Sequence, residues 1–204
     1  MKEELLSLIG KDETTLWEGK PNKKCFIIES IFNPFLLVAL VWGIIDFSII
    51  KAELSGGAFD ALMLVFFLFH LMPVWIYLFG ILFTIRRYKN LYYIVTDAAV
   101  YISRGVFVRH YDHKPLAELS HINLHRGIFD QWLNVGDVVI STNQLGRNNV
   151  PVTMNIIDID NYTEVYNLIK KAQQDIYSDT MYPNDLRPNT NHGYKTKYTN
   201  NKDE

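Results

Sequence analysis

The sequence predicts a membrane-anchored α+β protein, in which a two-helix transmembrane hairpin precedes an antiparallel β domain that ends in a helix. Two long apolar runs in the first half of the chain predict the hairpin. Short alternating segments between turn residues predict the β domain, and a final stretch of helical periodicity predicts the closing helix. Of the 204 residues, 49% are hydrophobic and 21% are charged, a composition too apolar for a disordered chain.

Both apolar runs are long enough to cross a bilayer. Residues 31–50 contain one formal charge and residues 61–85 contain none, and about 20 helical residues span a hydrocarbon core about 30 Å thick. The short connection over residues 51–60 can only join antiparallel neighbours. We therefore predict a transmembrane hairpin within residues 26–85, with spans at about 31–50 and 61–85, after an N-terminal segment of residues 1–25.

Basic residues flank the hairpin and predict its orientation. The connection between the spans carries only Lys51 beside Glu53 and Asp60. Under the positive-inside rule, the N-terminal segment and everything after the second span are cytoplasmic, in a cell-membrane protein that crosses twice. The flanking bases are Lys20, Lys23, Lys24, Arg86, Arg87 and Lys89.

Residues 86–178 read as the cytoplasmic β domain. Seven β-like segments follow one another at a spacing typical of an antiparallel sandwich or barrel. Asn161 and Glu164 then form a predicted capping box ahead of an amphipathic helix. Residues 179–204 are polar and are predicted to be a disordered tail. The β-like segments are 91–95, 99–103, 106–111, 122–124, 128–133, 138–142 and 150–157.

An ordered series of features resembles the bacterial pleckstrin-homology-like membrane proteins. The series consists of Leu16–Pro21, the hairpin with its basic exit, Tyr93–Asp97, a strand ending at Gly105, and Trp132–Val138. It covers about residues 14–178. Asn134 stands where the family pattern often has glycine, and asparagine tolerates the left-handed conformation that such a turn needs. The resemblance implies a seven-stranded barrel closed by a C-terminal helix, and it implies no established enzymatic activity.

The sequence offers little for catalysis, cofactors or nucleic acid. It contains no nucleophile elbow, Walker A loop, dinucleotide-binding glycine pattern or zinc-protease helix. With 20 basic and 22 acidic residues, it lacks the basic excess that holds nucleic acid. Cys25 is the single cysteine, so an intramolecular disulfide is ruled out. We interpret Cys25 as an inert thiol at the membrane interface. We expect a non-enzymatic protein without catalytic residues, metal or cofactor.

The bases of the β domain lie mostly in its first half, next to the membrane. Two interpretations stand: the bases contact anionic lipid headgroups, at about 1 kcal/mol for each nearby base, or they only fix the topology. The candidate headgroup contacts are Arg86, Arg87, Lys89, Arg104, Arg109, Lys114 and Arg126.

His70 is an ionisable residue well inside the second span. Counted from the span ends at Ile50 and Ala61, it lies about 13 Å deep and Asp46 about 6 Å deep, so a direct pair is not expected. We expect the imidazole to pack on Trp42 or to bind a carbonyl freed by Pro73. The alternatives are a polar contact that assembles protomers and a proton or ion relay.

Four further histidines, His110, His113, His121 and His125, fall within sixteen residues. A pair at i and i+3 on a strand points to opposite faces, and no carboxylate or cysteine completes a ligand set. We therefore expect solvated loop histidines rather than a metal site, with a pH-sensitive surface near the membrane as the alternative.

Three apolar features have a predicted place. Leu5, Leu6, Leu8 and Ile9 are expected to form a short amphipathic helix on the membrane. Trp17 fits either the headgroup layer or the β domain, and Trp132 is expected in the core.

The functional hypothesis is an integral membrane protein that presents its cytoplasmic domain as a module for protein interaction, self-assembly or binding of lipid headgroups. Its expected partners are membrane lipid, a second copy of the chain in a homo-oligomer, or another protein. The alternative is a small transporter or channel component, for which two spans and one buried histidine are thin support.

Overall fold

The computed structural model of the chain describes residues 2–57, 60–146 and 151–181. The chain divides into two compact units. The helical unit runs from Lys23 to Lys89, and the β unit combines the residues up to Asn22 with those from Asn90 onward. The first 22 residues thus share a unit with the β-strands, although the predicted boundary at residue 25 set them apart.

Four helices build the described part of the helical unit. Asn33 and Pro34 separate the second helix of the chain from the third, which ends at the left-handed Gly57 (φ 71°). The Asp60 carboxylate then caps the fourth helix by accepting the Met63 N–H at 2.9 Å. The first long helix therefore begins and ends several residues later than the predicted 31–50. The helices are α2 (Lys23–Ile31), α3 (Phe35–Gly56), α4 (Ala61–His70) and α5 (Met72–Asn90).

Polar contacts between the two arms of the helical unit give it an antiparallel arrangement. The Ser30 hydroxyl donates to Thr84 Oγ1 at 2.8 Å, and the Tyr77 hydroxyl donates to the Ile31 carbonyl at 2.8 Å. Further along α3, Trp42 Nε1 donates to the His70 carbonyl at 2.8 Å. Residues later in the first arm thus meet residues earlier in the second, as in a hairpin.

Among the described helices, α3 is the one that is long and apolar enough to cross a membrane by itself. The helices α4 and α5 qualify only as a pair, with a bend of 55° at Leu71. Pro73 follows the bend, and it has no N–H to continue the hydrogen-bond ladder of α4.

The β unit contains two antiparallel sheets. One has the order β1-β2-β3-β4 and the other the order β5-β6-β7. The predicted single barrel is therefore wrong: among the described residues the seven strands form separate four- and three-stranded sheets. The strands are β1 (Thr15–Gly19), β2 (Tyr92–Thr96), β3 (Ala99–Arg104), β4 (His110–Pro115), β5 (Leu119–His125), β6 (Gly136–Leu145) and β7 (Pro151–Ile159).

The predicted strand over residues 128–133 is a helix, α6 (Ile128–Leu133). Its apolar residues recur at a spacing of four, which fits a helix better than a strand. The Asp130 carboxylate accepts the Gly127 N–H at 2.7 Å, and Asn134 ends the helix at φ 55°. The left-handed Asn134 confirms the expectation for that turn.

The N-terminal residues supply the missing seventh strand. Trp17 in β1 pairs with Val95 of β2, so this residue belongs to the β unit. In α1 (Lys2–Leu6), Leu5 is fully buried against Ile94, Ala99 and Tyr101. The predicted amphipathic helix on the membrane is therefore wrong for Leu5, which packs on β2 and β3.

The closing helix α7 (Tyr162–Met181) follows Asn161, whose amide donates to Glu164 at 3.0 Å, as the capping box predicts. Its buried residues, Val165, Ile169 and Ala172, belong to the predicted apolar stripe. The helix takes in the first three residues of the predicted disordered tail, and residues 182–204 lie outside the described part of the chain.

Candidate functional site

The three bases that follow the second apolar run, Arg86, Arg87 and Lys89, lie at the end of α5 with exposed side chains. The Arg87 guanidinium lies 5.8 Å from the centre of the Phe26 ring, within the range of a cation–π contact. These three predicted headgroup contacts thus lie within about one helical turn.

Two predicted bases of the β unit are balanced by carboxylates. Arg104 binds Asp112 at 2.6 Å, and Arg109 binds Glu4 at 2.7 Å. The Tyr111 hydroxyl also donates to Glu4 at 2.6 Å, and this hydrogen bond is the main reason why the pKa of Glu4 is lowered. Both arginines have exposed side chains, so the ion pairs contribute little to stability.

The last two predicted bases have different surroundings. Lys114 donates to Gln144 at 3.2 Å from the partly exposed strand β4. Arg126 donates from Nε to the Val135 carbonyl at 2.9 Å, and its guanidinium lies 4.7 Å from the Tyr162 ring centre. These contacts let Arg126 hold the turn before α6 against the start of α7. Headgroup binding by the seven bases stays a prediction.

The four clustered histidines divide between the two sheets. His110 and His113 lie on β4, whereas His121 and His125 lie on β5, and all four are exposed. His113 stacks on Tyr101, with 5.8 Å between ring centres. Within the described ranges, none of the four belongs to a group of three side chains able to share a metal ion.

A cleft of about 310 Å³ opens beside β3 and β4. Leu8, Tyr101, Tyr111, Asp112 and His113 line it. The Tyr101 hydroxyl donates to both oxygens of Glu13, at 3.0 and 3.1 Å. Burial, followed by this hydrogen bond and the charge of Glu13, raises the pKa of Tyr101 to about 12. The phenol therefore stays protonated at neutral pH and serves as a donor, not as a base or nucleophile.

Sequence reasoning did not find this cleft. Its walls come from the N-terminal segment and from strands about ninety residues later, and Glu13 is separated from Tyr101 by 88 positions. Only the docking of Leu5 and the pairing of β1 with β2 bring these residues together.

Among the described residues of the β unit, the four most exposed large apolar side chains form two pairs. On α6, Ile128 is 83% and Trp132 74% exposed, so the prediction that Trp132 lies in the core is wrong. Both side chains lie on one face of a short helix because they are four residues apart. In the turn between β3 and β4, Phe107 is 78% and Val108 66% exposed.

A polar pair lies inside the helical unit. His70 Nδ1 is 2.9 and 3.0 Å from the two oxygens of Asp46, whose side chain is fully buried. The prediction that these residues would not pair is wrong, because α3 continues to Gly56. Counted from Gly56 and Ala61, both residues are about 14–15 Å from the helix ends. The predicted packing of His70 on Trp42 is confirmed, with 5.2 Å between ring centres.

Comparison with known proteins places these features in a family. No curated protein and no solved structure matches the chain. The family model described as "Bacterial PH domain" matches residues 28–173. This segment begins in α2 and ends in α7, and includes all but the first five residues of the helical unit, together with β2 to β7. Because the match covers well over half of the sequence, the chain belongs to the bacterial PH domain family.

Proposed function

We propose that the helical unit anchors this chain in the cell membrane as a two-span hairpin, and that the bacterial PH domain works on the cytoplasmic side as a non-enzymatic binding module. The basic residues at both ends of the helical unit favour cytoplasmic termini. Anionic lipid headgroups are the ligand that we propose first.

The distribution of polarity in the helical unit carries the proposal. Its large apolar side chains are turned outward: Leu62 is 80%, Phe69 71% and Phe47 69% exposed. Its most buried charged side chain, Asp46, is turned inward and paired with His70. Exposure of this much apolar surface is unfavourable in water and favourable in lipid. Inward-facing paired ionisable groups are also typical of membrane-embedded helices.

Charge supports headgroup binding at the end of α5. Anionic headgroups attract a nearby base by about 1 kcal/mol. Arg104 and Arg109 already bind carboxylates, so we assign the larger part of this attraction to Arg86, Arg87, Lys89 and Lys114. Arg104, Arg109 and Arg126 then have a lesser part.

Co-purified lipid tests this proposal. Full-length protein would be extracted in mild detergent from membranes of mixed composition, and the ratio of anionic to neutral lipid retained would be measured. We expect enrichment of anionic lipid that Arg86→Gln with Arg87→Gln reduces. The matched control, Lys170→Gln with Lys171→Gln on the exposed face of α7, should retain the enrichment. Equal enrichment in both double variants would contradict headgroup binding at α5.

Self-assembly is the second candidate, and the exposed Ile128 and Trp132 favour it. A large aromatic and a branched aliphatic side chain side by side are typical of the centre of an interface. Crosslinking in native membranes should give dimers or higher species that Trp132→Ser weakens. His70→Leu should weaken them as well if the second span contributes. A monomeric pattern for the unmodified chain would exclude this candidate.

A further inference from the structure

We propose that the turn between β3 and β4 inserts Phe107 and Val108 into the interface of the membrane that holds the same chain. This inference rests on the proposed membrane anchoring. It assigns a lipid-contacting role to two apolar residues of the PH domain.

The turn has a defined shape that presents these side chains. Gly105 has a φ of 133°, and a Cβ there would lie 1.9 Å from the Val108 carbonyl oxygen. Only glycine fits that position. The backbone therefore reverses tightly after Arg104, and Phe107 and Val108 project with most of their surface exposed.

Hydrogen bonds attach the turn to the residue where the chain returns from the helical unit. The Asn90 side-chain amide donates to the carbonyls of Gly105 and Val106, both at 3.2 Å. The Asn90 carbonyl accepts the Ser103 hydroxyl at 3.1 Å. Asn90 is also the last residue of α5. The turn is thus held to Asn90, the first residue of the β unit after the second apolar run.

Chain length places this exit at the membrane surface. The apolar run ends at Ile85, and five helical residues to Asn90 rise about 7.5 Å. One headgroup layer is about 5–7 Å thick. Phe107 directly follows Val106, and one residue of extended chain spans at most about 3.6 Å. An exposed phenylalanine this close to the headgroups can reach the boundary with the acyl chains.

The charges around the turn also suit a lipid interface. Arg86, Arg87 and Lys89 precede Asn90. Arg104 and Arg109, each paired with a carboxylate, flank the turn and have the lesser part. Apolar side chains between basic residues are typical of surfaces that bind at the headgroup boundary. An acidic protein partner would match the bases, but the short chain distance from the membrane favours lipid.

Depth-dependent quenching tests the inference. In a Cys25→Ser background of the full chain, single cysteines at Phe107, Val108, Phe69 and Asn167 would carry an environment-sensitive fluorophore. The proteins would be reconstituted into vesicles that contain anionic lipid, with a spin label either near the headgroup or deep in the acyl chain.

We expect labels at Phe107 and Val108 to be quenched, more by the shallow spin label than by the deep one. The label at Phe69 should be quenched more by the deep spin label, and the label at Asn167, exposed on α7, should not be quenched. If Phe69 is quenched while Phe107 and Val108 are not, this inference is overturned and the anchoring stands. An unquenched but blue-shifted label at Phe107 would mean that protein covers the turn, and would also overturn it. Absence of quenching at Phe69 would contradict the anchoring itself.

Discussion

The two units of this chain place polarity in opposite ways. In the β unit, Tyr93, Ile94 and Val95 are fully buried and the charged side chains are mostly exposed. In the helical unit, Phe69 and Leu62 are exposed and Asp46 is fully buried. Apolar side chains avoid water, and charged side chains avoid lipid. Both patterns therefore follow if water surrounds the β unit and lipid surrounds the helical unit.

Loss of the first 22 residues should have the largest effect, because it should destabilise the β unit. A fragment of residues 88–178 lacks β1 and Leu5, which leaves the edge of β2 unpaired and the Tyr101 region uncovered. We expect the fragment to lose cooperative thermal unfolding and to aggregate. A chain that joins residues 2–22 to 90–181 through a flexible linker keeps both elements and should unfold cooperatively in water. Soluble, cooperative behaviour of the shorter fragment would contradict this role of β1.

Truncation of an apolar side chain should affect the two units differently. Ile94→Ala removes a fully buried side chain that shares a core cluster with Leu5 and Tyr101, and should lower the free energy of unfolding of the β unit by about 2–5 kcal/mol. Phe69→Ala removes a larger side chain that is 71% exposed, so it should leave that value unchanged. Denaturant unfolding of full-length protein in detergent, followed by a probe in the β unit, measures both. Equal losses would remove the distinction between the units.

A double-mutant cycle on Asp46 and His70 tests whether the inward polar pair acts as a unit. His70→Leu leaves the fully buried carboxylate of Asp46 without its imidazole partner, which is more harmful than removal of both groups. We expect the single variant to be less stable than the double variant with leucine at both positions. The coupling should be about 1 kcal/mol. Thermal unfolding in lipid nanodiscs measures it, and additive effects would show that the residues do not interact.

The smallest expected effect is a pH dependence at Tyr101. Its pKa is raised to about 12, above the ordinary value of about 10 for tyrosine. Because the raised pKa belongs to the folded state, the stabilisation is complete below pH 10 and is lost as the pH rises towards 12. Tyr101→Phe should flatten this decline. Stability as a function of pH checks the slope, and absorbance of the phenolate checks the titration. An unchanged slope in the variant would assign the decline to another group.

Strong local patterns in the sequence predicted much of the fold. The two apolar runs, most of the alternating strands after Leu91 and the capping box at Asn161 each depend on residues close together in the chain. The predicted strand over residues 106–111 is wrong for residues 106–109, which form the turn before β4 (His110–Pro115). The left-handed Asn134 followed from the family resemblance and from the tolerance of asparagine for that conformation. The family resemblance is confirmed by the match over residues 28–173.

The errors came from structure that depends on distant residues or on exact helix ends. β1 is too short to identify without β2, its partner about eighty residues away. Ile128 to Leu133 is apolar enough for a strand, and its spacing of four, the Asp130 cap and the Asn134 turn together show that it is a helix. The pairing of Asp46 with His70 depends on where α3 ends, because a shift of six residues changes the depth by about 9 Å. The cleft at Tyr101 requires three segments to meet.

Cysteine accessibility in intact cells tests the central claim most directly. In a Cys25→Ser background, Ser55→Cys near the end of α3 and Asn167→Cys on α7 would be exposed to a maleimide that cannot cross membranes. The two-span hairpin predicts that Ser55→Cys reacts in intact cells, whereas Asn167→Cys reacts only after the membrane is permeabilised. Reaction of both positions in intact cells, or protection of Ser55→Cys until permeabilisation, would contradict an anchored PH domain on the cytoplasmic side.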